Sequence, residues 1–102
     1  ALALAKFPAR VPVVLQAFRI GDLRIITVPC EMFAETGLAL KQEAGLGPLF
    51  IIELANGYRG YLPTPRQHKW GGYETWPARS SYLEVQAAPK IRAALLGLLS
   101  KL

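Results

Sequence analysis

Glu31 and Tyr58 are the residues of this sequence whose types and positions best suit chemistry at a shared site. Each follows a predicted β-strand, over Leu23–Val28 for Glu31 and over Leu49–Leu54 for Tyr58. If these strands are parallel neighbours, their carboxyl ends meet at one edge of the sheet, where open α/β sheets collect their ligands. The sequence therefore predicts that the carboxylate and the phenol lie together, although they are far apart along the chain.

Both residues also have purely structural interpretations. A helix predicted over Glu31–Ala44 places Glu31 in its first turn, where a carboxylate interacts favourably with the positive end of the helix dipole. Asn56–Gly57 between apolar flanks is typical of a β-hairpin turn, which would make Tyr58 the first residue of a returning strand. The residues alone leave these alternatives open.

Cys30 and His68 are two further candidates, for metal binding or thiolate chemistry. Their spacing matches no zinc motif, and an unpaired cysteine is also typical of a small buried apolar residue. Because Cys30 is the single cysteine, an intrachain disulfide is excluded. Ser80 and Ser81 have no general base near them in the sequence, so a local serine nucleophile is not supported.

Three aromatic residues, Trp70, Tyr73 and Trp76, lie in the segment Ala55–Ala88, which is rich in Gly, Pro and polar residues. A loop of this length is uncommon in a compact domain unless it is functional. The aromatic side chains either line an apolar substrate groove or anchor the loop to the core. A short helix is predicted to start near Thr64, with Pro65 at its first position.

The elements that must position these residues predict an α/β fold with a small mixed sheet. Two β-branched stretches joined by Gly21–Asp22 predict an antiparallel hairpin, and the strand, helix and strand that follow predict a right-handed parallel crossover. Apolar residues at nearly every strand position predict that helices cover both faces of the sheet. The segments are a hairpin over Val13–Ile20 and Leu23–Val28, the helix and strand already named, and an amphipathic helix from Pro89 onward.

Composition limits the class of protein. With 102 residues, 52% hydrophobic and 19% charged, the chain is long enough for one compact domain and too apolar for a disordered segment. Its net charge of +5 comes from basic residues spread singly, which argues against nucleic-acid binding. No apolar run is long enough to span a membrane. The chain opens without Met or the features of a signal peptide, so it is predicted to be a piece of a longer polypeptide.

Several ordered motifs in this sequence together resemble the neutral/alkaline (non-lysosomal) ceramidase family, over nearly the whole chain. They are, in chain order, Ile20–Leu23, Val28–Phe33, Glu53–Tyr58, Gly60–Thr64 and Gly72–Glu74. The chain looks like the C-terminal part of that family's zinc amidase domain. The resemblance implies hydrolysis of the amide bond of an N-acyl lipid and, since relatives are often exported, a secreted or periplasmic location.

The same resemblance assigns roles to three residues. Glu31 and Tyr58 match the family's glutamate and tyrosine zinc ligands, and Tyr73 matches a tyrosine that would donate to the developing oxyanion. The remaining ligands are two histidines from an upstream part of the same polypeptide, and the nucleophile-like serine also belongs there. His68 is not one of these histidines, because it lies downstream of both matched ligands.

Two departures from the family pattern bear on the substrate. Cys30 stands where ceramidases carry Gly or Ala, and His68 stands at an aromatic position. Another N-acyl amide or an ester is therefore an alternative to ceramide. A second class of function is a non-catalytic α/β module that keeps the fold and binds a ligand or partner through its aromatic loop. The isolated segment, which lacks half of the implied site, is expected to be inactive.

Overall fold

A computed structural model of the chain describes residues 11–45, 47–75 and 82–102. These residues form five strands, three α-helices and one short 3-10 helix at Tyr73–Thr75. They are, in order, β1 (Gln16–Ile20), β2 (Leu23–Thr27), β3 (Glu31–Met32), α1 (Ala34–Glu43), β4 (Leu49–Ile52), β5 (Tyr61–Leu62), α2 (Pro65–Trp70) and α3 (Ala87–Leu99). This is the small mixed α/β fold that the sequence predicts.

The main sheet has three strands in the order β1-β2-β4. β1 and β2 form the predicted antiparallel hairpin, and Gly21 at its turn has a φ of 58°, which glycine adopts without strain. β1 starts at Gln16, so the hairpin is shorter than the predicted Val13–Ile20. β2 and β4 are parallel and are connected through α1, which confirms the predicted strand, helix and strand unit.

One face of this sheet carries the core. Ile26 from β2, Leu40 from α1 and Leu95 from α3 are fully buried in one apolar cluster. Helix α3 packs against β1, β2 and α1, as expected for the predicted amphipathic C-terminal helix. It begins at Ala87, two residues before the predicted start at Pro89.

Among the described residues no helix covers the opposite face of the sheet, so the predicted helical cover is present on one face. Phe18, Ile25 and Phe50 are cross-strand neighbours in one row, and side chains two residues apart along a strand share a face. On this face Ile20 is 68% exposed and Phe50 is 58% exposed. The strands are apolar on both faces of the sheet. Among the described residues, helices cover only one of these faces.

Glu31 does not lie in a helix. α1 begins at Ala34, after Phe33 takes an extended backbone, and Glu31 belongs to the two-residue strand β3, which pairs in parallel with β5. The backbone amide of Glu31 donates to the carbonyl of Gly60 at 2.9 Å, and this long-range pairing prevails over local helical preference. The predicted interaction of Glu31 with the helix dipole is therefore wrong, and Glu35 is the acidic residue of the first turn.

The hairpin interpretation of Asn56–Gly57 is also wrong. β4 ends at Ile52 rather than at Leu54, whose φ of 53° is left-handed and breaks an extended strand. Tyr58 lies between strands, and the next strand, β5, pairs with β3 instead of returning along β4. The chain therefore crosses over to the edge where β2 continues into β3.

The described residues of the long segment after β4 include two short helical elements. The predicted short helix is present as α2, where the Thr64 side chain accepts from the backbone of Gln67 and forms a capping box, with Pro65 in the first turn. The 3-10 helix follows after Gly71 and Gly72. No helix in the described parts of the chain is long and apolar enough to cross a membrane.

Candidate functional site

A ladder of backbone hydrogen bonds extends the parallel pairing of β2 and β4 beyond both strands. The Val28 amide donates to the Ile52 carbonyl at 3.0 Å, and the Ala55 amide donates back to the Val28 carbonyl at 3.1 Å. The Arg59 amide then donates to the Pro29 carbonyl at 2.6 Å. The two segments that leave the carboxyl ends of the strands therefore run side by side.

This ladder brings Glu31 and Tyr58 to the same edge, as the sequence predicts. The Tyr58 hydroxyl oxygen lies 3.5 Å from Oε2 of Glu31. Hydroxyl to carboxylate hydrogen bonds are normally 2.5 to 3.0 Å long, so this contact is long for a direct bond. Tyr58 is 51% exposed, which leaves the pair accessible from solvent.

The electrostatics of this edge keep the phenol protonated in the absence of a cation. Desolvation first, and then the neighbouring Glu31 carboxylate, raise the pKa of Tyr58 above its ordinary value. A cation placed between the two oxygens would reverse the effect of the carboxylate, because it stabilises the phenolate. A cation bound at this edge would therefore interact favourably with both oxygens.

The distance between the two oxygens fits the zinc implied by the resemblance. Two oxygen ligands at about 2.1 Å from a tetrahedral zinc ion lie about 3.4 Å apart. The 3.5 Å between the Tyr58 hydroxyl and Glu31 is close to that value, and both donors are oxygen atoms. Among the described residues, no group of three or more His, Cys, Asp and Glu side chains is arranged to hold a metal ion. A zinc site at this edge therefore needs ligands from elsewhere.

Tyr61 is a member of the same edge that the sequence analysis did not single out. It pairs with Glu31 in the register of β3 and β5. Its ring meets the ring of Tyr73 edge-on, with 5.7 Å between centroids and 87° between planes. The sequence feature that could have identified Tyr61 is its position three residues after Tyr58, which places both phenols on one short segment.

The Tyr73 side chain also affects the acidity of the Tyr61 hydroxyl. It is the largest cause that raises the pKa of Tyr61 to about 12, ahead of desolvation and the charge of Glu31. Tyr61 therefore keeps its proton at neutral pH. Tyr73 is thus connected to the Glu31 edge through Tyr61.

Glu53 is a second residue that the sequence analysis did not single out. Its Oε2 accepts a hydrogen bond from the backbone amide of Met32 at 2.6 Å. Because Met32 is the second residue of β3, this bond holds the strand that carries Glu31. The available signal in the sequence was a charged residue near the end of an apolar strand. The bond to the Met32 amide makes Glu53 a residue that positions β3.

Cys30 and His68, the candidates for the alternative site, lie in different environments. Cys30 is fully buried in the apolar core, and burial raises the pKa of its thiol to about 11, with the charge of Arg59 acting in the opposite direction. It therefore behaves as a small apolar residue with an unreactive thiol. His68 lies in α2, and its Nε2 is enclosed without a hydrogen-bond partner among the described residues.

The aromatic residues of the long segment separate into different environments. Trp70 is 68% exposed and carries the Arg66 guanidinium over its ring at 4.6 Å, so it does not anchor the segment to the core. Tyr73 contacts Tyr61 as described above. Trp76, Ser80 and Ser81 lie outside the described residues.

Comparisons of the chain with protein-family models, with curated proteins and with solved structures gave no match. The function of the chain must therefore be inferred from its own residues. The strongest candidate is the pair formed by Glu31 and Tyr58. Tyr61 is paired with Glu31 in the sheet, and the Tyr73 ring contacts the Tyr61 ring.

Proposed function

We propose that this chain is the C-terminal part of a zinc-dependent amidohydrolase that cleaves the amide bond of an N-acyl lipid such as ceramide. In this proposal Glu31 and Tyr58 are two of the zinc ligands, and two histidines come from an upstream part of the same polypeptide. The observation that carries it is the 3.5 Å separation of the Tyr58 hydroxyl and Glu31 Oε2 at the carboxyl ends of two parallel strands. Both the resemblance and this separation point to the same pair.

The residues of the chain have distinct tasks in the proposed reaction. A bound zinc ion would supply a water molecule of lowered pKa and polarise the scissile carbonyl. Glu31 brings a negative charge to the site, while Tyr58 brings a phenol that gives up its proton when a cation binds. Tyr73 donates its hydroxyl proton in a hydrogen bond to the carbonyl oxygen as negative charge develops there. Water is consumed, the carbon to nitrogen bond breaks, and a fatty acid and an amine result.

The uncovered face of the main sheet supports the upstream partner in this proposal. Phe18, Ile20, Phe50 and Ile52 are each at least 45% exposed on one apolar face. Single exposed apolar residues are normal on protein surfaces, but adjoining ones mark a contact with another protein segment. We propose that the upstream part of the same polypeptide packs here.

Metal content and hydrolysis in the longer polypeptide test the proposal. Glu31→Gln and Tyr58→Phe should each reduce bound zinc and the hydrolysis of N-acyl amides at least tenfold, because second-shell changes alone cost about that much and these are direct ligands. Glu43→Gln is the matched control, since Glu43 lies at the end of α1 and pairs with Arg92 at 3.8 Å. A polypeptide without two upstream histidines, or zinc content unaffected by both variants, contradicts the proposal.

The second candidate function is a non-catalytic module that binds a ligand or partner. The exposed ring of Trp70 and the uncovered sheet face favour it. In that case the longer polypeptide holds no zinc, and Trp70→Ala weakens partner binding while Glu31→Gln does not. The two candidates therefore give opposite results for Glu31.

A further inference from the structure

β4 lies at an edge of the main sheet, because the strand order is β1-β2-β4. The Val28 amide donates to the Ile52 carbonyl, so the backbone groups of Ile52 point toward β2. Successive residues of a strand direct their N–H and C=O groups to alternate sides, so Leu49 and Ile51 direct theirs away from β2. Among the described residues, no strand pairs with β4 on that side. β4 therefore offers backbone donors and acceptors to a further strand.

The two edges of the sheet differ in how they are protected against such pairing. β1, at the other edge, carries the charged Arg19. β4 consists of four apolar residues, Leu49–Ile52, without a charge or a proline. Its Phe50 is 58% exposed and its Ile52 is 45% exposed. Because proteins normally protect an edge strand with charged residues, prolines or bulges, an uncharged apolar edge favours pairing with another chain.

A groove lies beside this edge, next to α1, and its two ends carry opposite charges. The volume of the groove is about 290 Å³, and Leu38 and Ile51 contribute apolar side chains to its lining. Lys41, in the last turn of α1, lines the groove near the start of β4, since only a short connection joins α1 to β4. Glu53 follows directly after β4 and lines the other end. The edge therefore has a positive end and a negative end.

We infer that β4 pairs antiparallel with β4 of a second copy of this chain, about a two-fold axis at Ile51. The pairing does not depend on the proposed function, and it uses the edge of the sheet rather than its uncovered face. Ile51 lies opposite Ile51 of the second copy, and Leu49 lies opposite Glu53 of the second copy. This register pairs residues whose backbone groups point outward, as an antiparallel ladder requires.

The side chains are complementary in the same register. Opposite residues of antiparallel strands share a face, so Phe50 meets Ile52 of the second copy on the uncovered face of the sheet. On the other face, Glu53 of the second copy lies beside Leu49, at the end of the groove that Lys41 lines. The two-fold axis repeats both contacts. Two apolar pairs and two pairs of opposite charge therefore join the copies, which is typical of an isologous interface.

Sedimentation equilibrium of this chain, from about 10 μM to about 1 mM, tests the pairing. The unaltered chain should show a reversible dimer, since one strand pair makes a small interface. Phe50→Lys should raise its Kd at least tenfold, because the ammonium group would face Ile52 of the second copy. Ile20→Lys is the matched control: Ile20 lies on the same face, is 68% exposed and belongs to β1, so Kd should change less than twofold.

Both variants should keep the circular dichroism spectrum of the unaltered chain, because both side chains are exposed. A monomer at every concentration overturns the inference. Equal effects of Phe50→Lys and Ile20→Lys also overturn it, because the copies would then meet through the uncovered face rather than through the edge.

Cysteine pairing tests the register without a change of charge. Phe50→Cys chains are mixed with Ile52→Cys chains, oxidised and analysed by mass spectrometry. In the inferred register these positions have Cα atoms about 4.5 Å apart, within the range of a disulfide, whereas like positions are diagonal neighbours about 7 to 8 Å apart. Crosslinked dimers of unlike chains should exceed those of like chains at least tenfold. Equal amounts, or no crosslink, would contradict the register and with it the inference.

Discussion

The hydroxyl oxygen of Tyr58 lies 3.5 Å from Oε2 of Glu31, across two segments that leave neighbouring parallel strands. The pair is too far apart for a short hydrogen bond and close to the spacing of two ligands on one zinc ion. Backbone bonds from Arg59 to Pro29 and from Glu31 to Gly60 hold this spacing. The edge is therefore positioned by the main chain, and its side chains are available for a ligand.

Replacing Tyr58 with Phe should leave the stability of the metal-free chain nearly unchanged. The side chain is 51% exposed and its bond to Glu31 is long, so the free energy of unfolding should change by less than about 0.5 kcal/mol. Urea denaturation followed by circular dichroism measures this. A loss above about 1 kcal/mol would mean that the pair exists to stabilise the fold.

Removing the Glu53 carboxylate should loosen β3. Glu53→Ala leaves the Met32 amide without its 2.6 Å acceptor, so the free energy of unfolding should fall by about 1 kcal/mol and the Met32 amide should exchange faster with deuterium. Glu53→Gln retains an acceptor oxygen and should fall between Glu53→Ala and the unaltered chain. Equal exchange of Met32 in all three proteins would show that the bond is not formed.

Two isoleucines of the same sheet should respond very differently to truncation. Ile26→Ala removes a fully buried side chain and should cost about 2 to 5 kcal/mol, because it leaves a cavity in the core. Ile20→Ala lies on the uncovered face, where the side chain is 68% exposed, and should cost less than about 0.5 kcal/mol in this chain. Thermal denaturation of both variants gives the comparison, and similar losses would indicate that the face is covered in solution.

Stability should decline between about pH 9 and pH 11, in part because of Cys30. Burial raises the pKa of its thiol from the ordinary 9.0 to about 11, so in this range the unfolded chain releases a proton that the folded chain retains. The contribution of the thiol to the free energy of unfolding is complete below pH 9 and is lost as the pH rises toward 11, on the order of 3 kcal/mol at most.

Cys30→Ala should reduce the loss of stability between pH 9 and pH 11. The raised pKa values of Tyr58 and Tyr61 act in the same direction and remain in both proteins, so the difference between the two slopes isolates the thiol. Urea denaturation at pH 8, 9, 10 and 11 gives the slopes. Parallel profiles for the two proteins would contradict the assignment.

Local patterns were enough for most of the elements. The Gly21–Asp22 turn, the apolar β-branched strands around it and the Thr64 cap of α2 depend on residues near each other in the chain, and each is present. The predicted strand, helix and strand unit also places β2 and β4 side by side, with α1 as the connection. The meeting of Glu31 and Tyr58 follows from that topology, and it too was predictable.

The sequence by itself determined the small mixed α/β fold and the edge at which Glu31 and Tyr58 meet, because strand patterns, turn residues and crossover rules are local or topological. Only the tertiary structure decided that Glu31 lies in β3 rather than in a helix, and that one face of the sheet is uncovered by the described residues. Both outcomes depend on partners distant in the chain: the strand that pairs with β3, and the number of helices available to cover the sheet. The place of Tyr61 between Glu31 and Tyr73 depends on such pairing as well, and periodicity along a single segment does not contain it.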